Sequence, residues 1–234
     1  MRDVFYPWPL AALHADASYE LNPPAYALLR MEEHPPVGGD TLWTSQYGTY
    51  DELSKPMKTF VDGLKVVHTS WNRYQTIIPL WGIKPRRKPI DTEHPLVRTH
   101  PVTGLKALNY SPGYAVRIAD LKKAESDKMI ELLLNHLNDS PDHSVRWRWE
   151  VGSCAMWDNR VTCHRVIPGK YKEARRGVRT TIFGERPYFD PKSEGRQERE
   201  ERLAKESGQS TNGDQTKSAE SETANGDSSV PLPQ

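Results

Sequence analysis

A histidine and an aspartate stand two positions apart near the start of the chain, His14 and Asp16 in "LHADASYELNPP". On a β-strand, residues i and i+2 point to the same face, so this imidazole and this carboxylate could bind one metal ion. The same pair also arises by chance among the polar residues of a strand or turn. The metal interpretation therefore requires a further ligand from elsewhere in the chain.

His164 is the best candidate for that ligand, because it ends the aromatic, strand-like segment "CAMWDNRVTCH". Two histidines and one carboxylate form the facial ligand set of non-haem iron oxygenases, which leaves coordination positions open for substrates. Asp158 and Asn159, just before it, either support His164 from behind or shape a turn.

Two arginines follow His164 by eleven and fifteen residues, Arg175 and Arg179 in "RRGVRTTIFGERP". A guanidinium binds a carboxylate bidentately and stays charged at any working pH. Taken alone, these arginines, with Arg176 between them, could equally be a solvated basic stretch.

Thr41 adds a third element, since it follows two glycines in "PPVGGDTLWTSQY". Glycines let the backbone turn tightly and approach a ligand, and a threonine hydroxyl can donate to the same carboxylate as an arginine. Three separated motifs with complementary roles favour a metal site with an anion site beside it.

The elements that must position these residues are short, β-branched or aromatic-rich segments separated by Pro/Gly turns. Such spacing favours a sandwich or barrel over a parallel α/β sheet. Helical periodicity is clear over residues 126–140. A shorter helical stretch is predicted over 49–64. In it Thr49 and Glu52 have capping-box spacing, and Pro56 suits the first turn of a second helix. The predicted fold is mostly β with peripheral helices. The segments predicted as strands are "TLWTSQY", "LKVVHTS", "LVRTH", "KALNY", "VRWRWEV", "CAMWDNRVTCH" and "RTTIFGER".

Residues 14–188 resemble the TauD/TfdA-type Fe(II)/2-oxoglutarate-dependent dioxygenases. The resemblance rests on the blocks "HADASYELNPPAYALLRMEEHPPVGGDTLW", "HPVTGLKALNYSPGYAVRI" and "WRWEVGSCAMWDNRVTCHRVIPGKY…RRGVRTTIFGERP". The 27-residue step from His14 to Thr41 and the 11-residue step from His164 to Arg175 both match that family's pattern.

The resemblance implies a double-stranded β-helix, or jelly roll, with Fe(II) held by His14, Asp16 and His164. It assigns Thr41 and Arg175 to the far carboxylate of 2-oxoglutarate. Arg179 matches the arginine that faces the substrate anion in sulfonate-oxidising members, and it could also contact 2-oxoglutarate. On resemblance alone, Asn109, Tyr110 and Tyr114 are expected to border the pocket.

The implied function is an Fe(II)-, 2-oxoglutarate- and O2-dependent dioxygenase that hydroxylates a small anionic organic substrate, giving succinate and CO2. A sulfonate, a sulfate ester or a specialised metabolite would fit.

The chain departs from the family at its N-terminal end. The family carries a substantial segment before the histidine that matches His14, where the present chain has thirteen residues. Leu10 also replaces an asparagine of sulfonate-oxidising members. We therefore expect the N-terminal part of the fold to be missing. The alternatives are a truncated, non-catalytic relative or partner subunit that keeps metal and 2-oxoglutarate binding, and a zinc hydrolase, which the arginine spacing opposes.

Composition excludes other classes of function. Lysine and arginine (32) nearly balance aspartate and glutamate (31), so no broad field favours nucleic acid or an anionic membrane. Without an apolar stretch of membrane-spanning length, the chain is predicted to be soluble and cytoplasmic, acting on a small molecule and with homo-oligomerisation left open. Cys154 and Cys163 are too few for a disulfide scaffold. The catalytic domain is predicted over residues 1–191, and residues 192–234 form a polar tail predicted to be disordered.

Overall fold

The computed structural model describes residues 12–80, 82, 84–85, 87–167 and 171–208. Within these ranges the chain is mostly β, with a few helices, as predicted. Its strands are β1 Tyr26–Glu33, β2 Thr41–Ser45, β3 Lys65–Thr69, β4 Asp91–Pro95, β5 Val97–Thr99, β6 Lys106–Leu108, β7 Ala115–Ile118, β8 Ser144–Trp147, β9 Cys154–Asp158, β10 Thr162–Val166 and β11 Arg176–Ile182. Its α-helices are α1 Gln46–Asp51, α2 Lys55–Val61, α3 Ile78–Leu80, α4 Lys123–Asn138 and α5 Arg196–Glu206. A π-helix, Arg73–Ile77, precedes α3, and a 3-10 turn, Pro141–His143, precedes β8.

Two antiparallel three-stranded sheets enclose the cavity that contains the predicted site. Their strand orders are β11-β1-β9 and β10-β2-β8. The inner sides of the two sheets meet in an apolar cluster, where the Trp43 and Trp157 ring centroids lie 5.5 Å apart. Ala27 and Met31 of β1 are buried in the same cluster. The strands of these sheets therefore present alternate residues to a shared interior.

A third sheet, β4-β3-β7, and the pair β5-β6 form the rest of the β structure in the described residues. Helix α4 packs beside β7 and buries Met129, Leu133 and Leu137 in the main core. Ile130 and Leu134 pack partly buried against that core. The apolar face predicted for this helix is thus the face that it buries.

The helical stretch predicted over 49–64 forms two helices, but the predicted capping box is wrong. Helix α1 begins earlier, because the Ser45 hydroxyl accepts a hydrogen bond from the Gly48 N–H. Thr49 therefore lies inside α1, and Glu52 follows its last residue. Pro56 lies in the first turn of α2, as predicted.

Helix α5 lies inside the segment predicted to be disordered, residues 192–234. At the start of the helix, the Gln197 N–H donates to Asp51 Oδ2 and Arg199 pairs with Glu194. These contacts order residues that composition alone assigned to the tail. The rest of the predicted tail, from residue 209, lies outside the described residues, as does Leu10.

The chain divides into two compact units, residues 1–199 and 200–234. No helix in the described ranges is long and apolar enough to cross a membrane.

Candidate metal centre

The backbone brings the two predicted histidine ligands together. His14 and His164 form an isolated antiparallel β-bridge, with N–H···O distances of 2.9 and 2.8 Å in the two directions. Their ring centroids lie 4.5 Å apart. His14 and Asp16 do not lie on one strand, because Asp16 begins a turn in which Ala17 has φ +47°. The side chains of His14 and Asp16 are therefore brought to the same site by one β-bridge and a turn, and not by the alternation of residues along a strand.

Asn159 fixes the backbone of Asp16. The Asn159 Oδ1 atom accepts from the Asp16 N–H at 2.6 Å, and its Nδ2 donates to the Asp16 and Pro24 carbonyls, each at 3.0 Å. Asn159 therefore supports the aspartate and not His164. Asp158, the other residue considered as a support for His164, instead pairs with Arg160 at 2.6 Å and His100 at 3.0 Å.

The donor atoms of His14, Asp16 and His164 all lie within 4.8 Å of one another. His164 Nε2 is 3.9 Å from Asp16 Oδ1. Two atoms bound to one ion at about 2.1 Å each can be no more than about 4.2 Å apart. The three donors therefore need only small side-chain shifts to share a divalent ion.

An unsatisfied polar atom at this point favours a bound cation. Asp16 Oδ2 is buried without a hydrogen-bond partner among the described residues, an arrangement that is costly unless a ligand completes it. His14 Nδ1 lies 2.9 Å from the Ala12 carbonyl. Because a carbonyl can only accept, Nδ1 carries the proton and Nε2 keeps its lone pair.

The electrostatics give two neutral donors and one anionic donor. Burial and, to a smaller extent, the neighbouring His14 lower the pKa of His164 to about 3. Burial also lowers the pKa of His14. Burial alone would raise the pKa of Asp16, but His164, Arg179 and His14 together outweigh it and lower that pKa. At neutral pH the site thus presents two imidazole lone pairs and a carboxylate, a set that suits a first-row transition metal.

The predicted anion-binding residues line the same cavity, which has a volume of about 470 Å³. The Thr41 hydroxyl accepts a hydrogen bond from Trp149 Nε1 at 2.9 Å, so its own proton can be donated to a ligand. Arg175 donates from Nε to the Gly39 carbonyl at 2.9 Å, while its buried terminal Nη2 has no partner in the described part of the chain. All six predicted site residues therefore meet at one cavity.

The backbone at Gly39 was predicted to approach a ligand, but in the structure it approaches the side chain of Arg175. Its φ is +71°, and an added Cβ would lie 2.9 Å from Arg175 Cδ and 3.2 Å from His34 Nε2. What the backbone approaches here is the Arg175 side chain, which only a glycine admits so closely.

Arg179 lies directly beside the metal ligands. One of its terminal nitrogens, Nη1, is 2.6 Å from Asp16 Oδ1, and its side chain is 41% exposed. Arg176, the neighbouring candidate, also lines the cavity but pairs with Glu32 and Glu33.

The family model for "Taurine catabolism dioxygenase TauD, TfdA family" matches residues 3–181. The chain belongs to the TauD/TfdA family. The alpha-ketoglutarate-dependent dioxygenase oryG of Aspergillus oryzae is 40% identical over 195 residues, which cover 79% of this chain and 57% of that relative. The alpha-ketoglutarate-dependent sulfonate dioxygenase of Saccharomyces cerevisiae is 39% identical over 76% of this chain and 43% of its own length. A crystal structure of a taurine dioxygenase from Burkholderia xenovorans aligns with a TM-score of 0.67 and 36% identity, covering 82% of this chain and 63% of that one. The chain spans about half the length of the curated relatives that it matches.

Other cavity residues of this TauD/TfdA chain were not singled out in the sequence as site residues. They are Leu29, Trp43, Arg73, Trp157, Val166 and Gly177. Arg73 lies in "SWNRYQTII", which has no periodic or motif signal. Of the three residues expected to border the pocket, Tyr114 does so. Asn109 instead donates to the Pro95 carbonyl, and Tyr110 donates to the Ile130 carbonyl.

Proposed function

We propose that the chain is an Fe(II)- and 2-oxoglutarate-dependent dioxygenase that hydroxylates a small anionic organic substrate. A sulfonate or a sulfate ester fits this description, as does a specialised metabolite that carries a carboxylate. The observation that carries the proposal is that His14, Asp16 and His164 place their donor atoms within 4.8 Å of one another in a cavity that also contains Thr41 and Arg175.

The anion-binding residues beside the donor set, Thr41 and Arg175, support iron over a hydrolytic zinc site. His14, Asp16 and His164 would occupy one face of the ion and leave the opposite positions open, as oxygen chemistry with a chelating cosubstrate requires. When bound, iron with 2-oxoglutarate and O2 supplies the oxidation that places one oxygen atom in a substrate C–H bond and the other in succinate, with release of CO2. A zinc hydrolase would have no use for Thr41 and Arg175 in the same cavity.

Thr41 and Arg175 would hold the far carboxylate of 2-oxoglutarate. The unpartnered Nη2 of Arg175 and the hydroxyl proton of Thr41 are both available in the cavity. A buried donor without an acceptor costs about 1–3 kcal/mol, and a bound carboxylate would remove that cost. The Gly39 carbonyl and Trp149 Nε1 orient the two donors before the cosubstrate arrives.

The apolar lining would keep bulk water from the reacting groups. Trp43, Trp157, Leu29 and Val166 contribute this lining from both sheets. Exclusion of water strengthens the electrostatic contacts inside the cavity and limits side reactions. The two facing sheets support a double-stranded β-helix as the scaffold of the site.

The test follows the conversion of 2-oxoglutarate to succinate with Fe(II) and ascorbate under air. A panel of alkyl sulfonates, sulfate esters and carboxylates is compared with no substrate. We expect stimulated succinate formation with at least one anion, and its loss in His14→Ala. His143→Ala, a histidine outside the cavity that pairs with Glu52, is the matched control and should behave as wild type.

Two other outcomes lead to different conclusions. Binding of Fe(II) and 2-oxoglutarate without turnover on any member of the panel would favour the non-catalytic alternative. Hydrolytic activity that requires zinc, with no binding of 2-oxoglutarate, would contradict the proposal.

A further inference from the structure

Arg73 is the first residue of the π-helix Arg73–Ile77 and lines the cavity beside the candidate metal ligands. It is close enough to contribute to the lowered pKa of His14, whose main cause is burial. No carboxylate of the described residues forms an ion pair with it within 4 Å. Its side-chain hydrogen bond goes to Tyr114. A π-helix is a rare distortion that occurs frequently at functional sites.

The charges of the cavity lining do not balance. Asp16 is the lining carboxylate, whereas Arg73, Arg175, Arg176 and Arg179 all contribute guanidinium groups. Arg176 is offset by Glu32 and Glu33, and Arg179 is paired with Asp16. Arg73 and Arg175 therefore leave a surplus of two positive charges.

The proposed cofactors leave this surplus unchanged. Fe(II) adds two positive charges and 2-oxoglutarate removes two. Arg175 is offset by the far carboxylate of 2-oxoglutarate, and Arg179 remains paired with Asp16. Among the described residues, Arg73 is then the lining guanidinium with no carboxylate within 4 Å, and Asp16 acts on it only from a longer distance. A positive group in such a partly enclosed site attracts an anionic ligand.

Two tyrosines connect Arg73 to the metal ligands. The Tyr114 ring lies edge-on to Tyr19, with centroids 5.0 Å apart, and edge-on to His14, with centroids 5.9 Å apart. Burial raises the pKa of Tyr114 to about 12, so its hydroxyl keeps its proton. Tyr114 accepts from Arg73 and can still donate that proton to a ligand.

We propose that Arg73, supported by Tyr114, binds the anionic group of the substrate and sets the preference for sulfonates, sulfate esters or carboxylates over neutral compounds. The inference rests on the proposed function for the identity of the ligand as a substrate. It assigns the anion to the guanidinium from the π-helix, whereas Arg179 positions the Asp16 carboxylate.

The test measures anion binding directly. Wild-type protein with Fe(II) and 2-oxoglutarate is kept free of O2 and titrated with 1-hexanesulfonate, hexyl sulfate, hexanoate and neutral 1-hexanol. Trp43 and Trp157 line the cavity, so tryptophan fluorescence and calorimetry both report binding. Arg73→Gln should weaken anion binding by about 10- to 100-fold, the size expected for a lost charge-assisted hydrogen bond, and leave 1-hexanol unaffected.

Control variants separate a specific effect from general damage. Arg117→Gln removes an exposed arginine of β7 and should bind like wild type. Arg73→Lys keeps the charge without the planar fork and should lose less affinity than Arg73→Gln. The affinity for 2-oxoglutarate should be the same in wild type and all three variants.

The same titration without Fe(II) and 2-oxoglutarate separates this inference from the proposed function. Because the charge surplus is two in either state, the wild-type protein should bind the anions in both. Failure to bind iron or 2-oxoglutarate, with anion binding that depends on Arg73, would overturn the proposed function alone. The inference is wrong if wild type binds none of the three anions, or if Arg73→Gln binds them as tightly as wild type.

Discussion

At the scale of single residues, the two oxygens of Asp16 have different environments. Oδ1 accepts from Arg179 at 2.6 Å, whereas Oδ2 is buried without a partner among the described residues. A ligating carboxylate held by a hydrogen bond on one oxygen can offer the other to an ion in a fixed orientation. Arg179 is therefore a positioning residue for the proposed metal ligand.

This role predicts that Arg179→Gln weakens metal binding by about 10- to 100-fold, as loss of an outer hydrogen bond to a ligand commonly does. The measurement is a titration of the protein with Co(II), followed by its visible absorption. Arg117→Gln, which removes an exposed arginine of β7, is the control and should leave the titration unchanged. Equal Co(II) affinity in Arg179→Gln and wild type would contradict the positioning role.

Gly39 allows a second residue-scale prediction, since an added Cβ would lie 2.9 Å from Arg175 Cδ. Gly39→Ala should raise the KM for 2-oxoglutarate by displacing Arg175. The positive φ should also lower the free energy of unfolding by about 1–2 kcal/mol. Gly152→Ala is a matched control, because its φ is +90° and nothing lies within 4 Å of its added Cβ. The control should lose stability alone, and an equal rise of KM in both variants would exclude a specific displacement.

At the scale of elements, the sequence predicted most of the strands but missed β4, β7 and β1, the last being the central strand of its sheet. The sequence of β1, "YALLRMEE", is rich in residues that favour helices and contains no β-branched residue. Pairing with β11 on one side and β9 on the other overrides that propensity. Such long-range pairing cannot be read from a local sequence window.

Helix α4 shows the opposite case, in which local periodicity was sufficient. Leu133 is fully buried at 0% exposure, whereas the adjacent Leu132 is 40% exposed. Leu133→Ala should therefore lower the free energy of unfolding by about 2–5 kcal/mol through lost burial and a residual cavity. Leu132→Ala should change it by less than about 1 kcal/mol. Urea unfolding of both variants checks the difference, and similar losses would mean that the helix faces the core differently.

Across the whole molecule, the amino-acid composition predicts the net charge but not the local positive charge of the cavity. A net charge of +1 excluded a broad electrostatic field, yet the cavity concentrates unpaired guanidinium groups. His14, Asp16, Thr41, His164, Arg175 and Arg179 were predicted because their spacing matches a family pattern. Arg73 has no such spacing, and only the fold brings it to the cavity.

Buried neutral histidines make the stability of the whole molecule depend on pH. Burial lowers the pKa of His68 to about 3, and burial also lowers the pKa of His94. Below a pH of about 6.5 the unfolded chain protonates these imidazoles, whereas the folded chain does not until its lower pKa is reached. The unfolded state then binds more protons, so the free energy of unfolding falls as the pH falls, by about 1.4 kcal/mol per pH unit for each such group.

The contribution of His68 can be isolated by substitution. His68 Nδ1 lies 3.1 Å from the Ser18 carbonyl, and the amide of His68→Asn can donate to that oxygen without titrating. Between pH 6 and 4.5, metal-free wild type should lose stability more steeply than His68→Asn, by about 1.4 kcal/mol per pH unit. Urea unfolding with a chelator present measures both slopes and keeps metal binding from contributing. Identical slopes would mean that His68 protonates in the folded state as readily as in the unfolded chain, and that another group causes any acid lability.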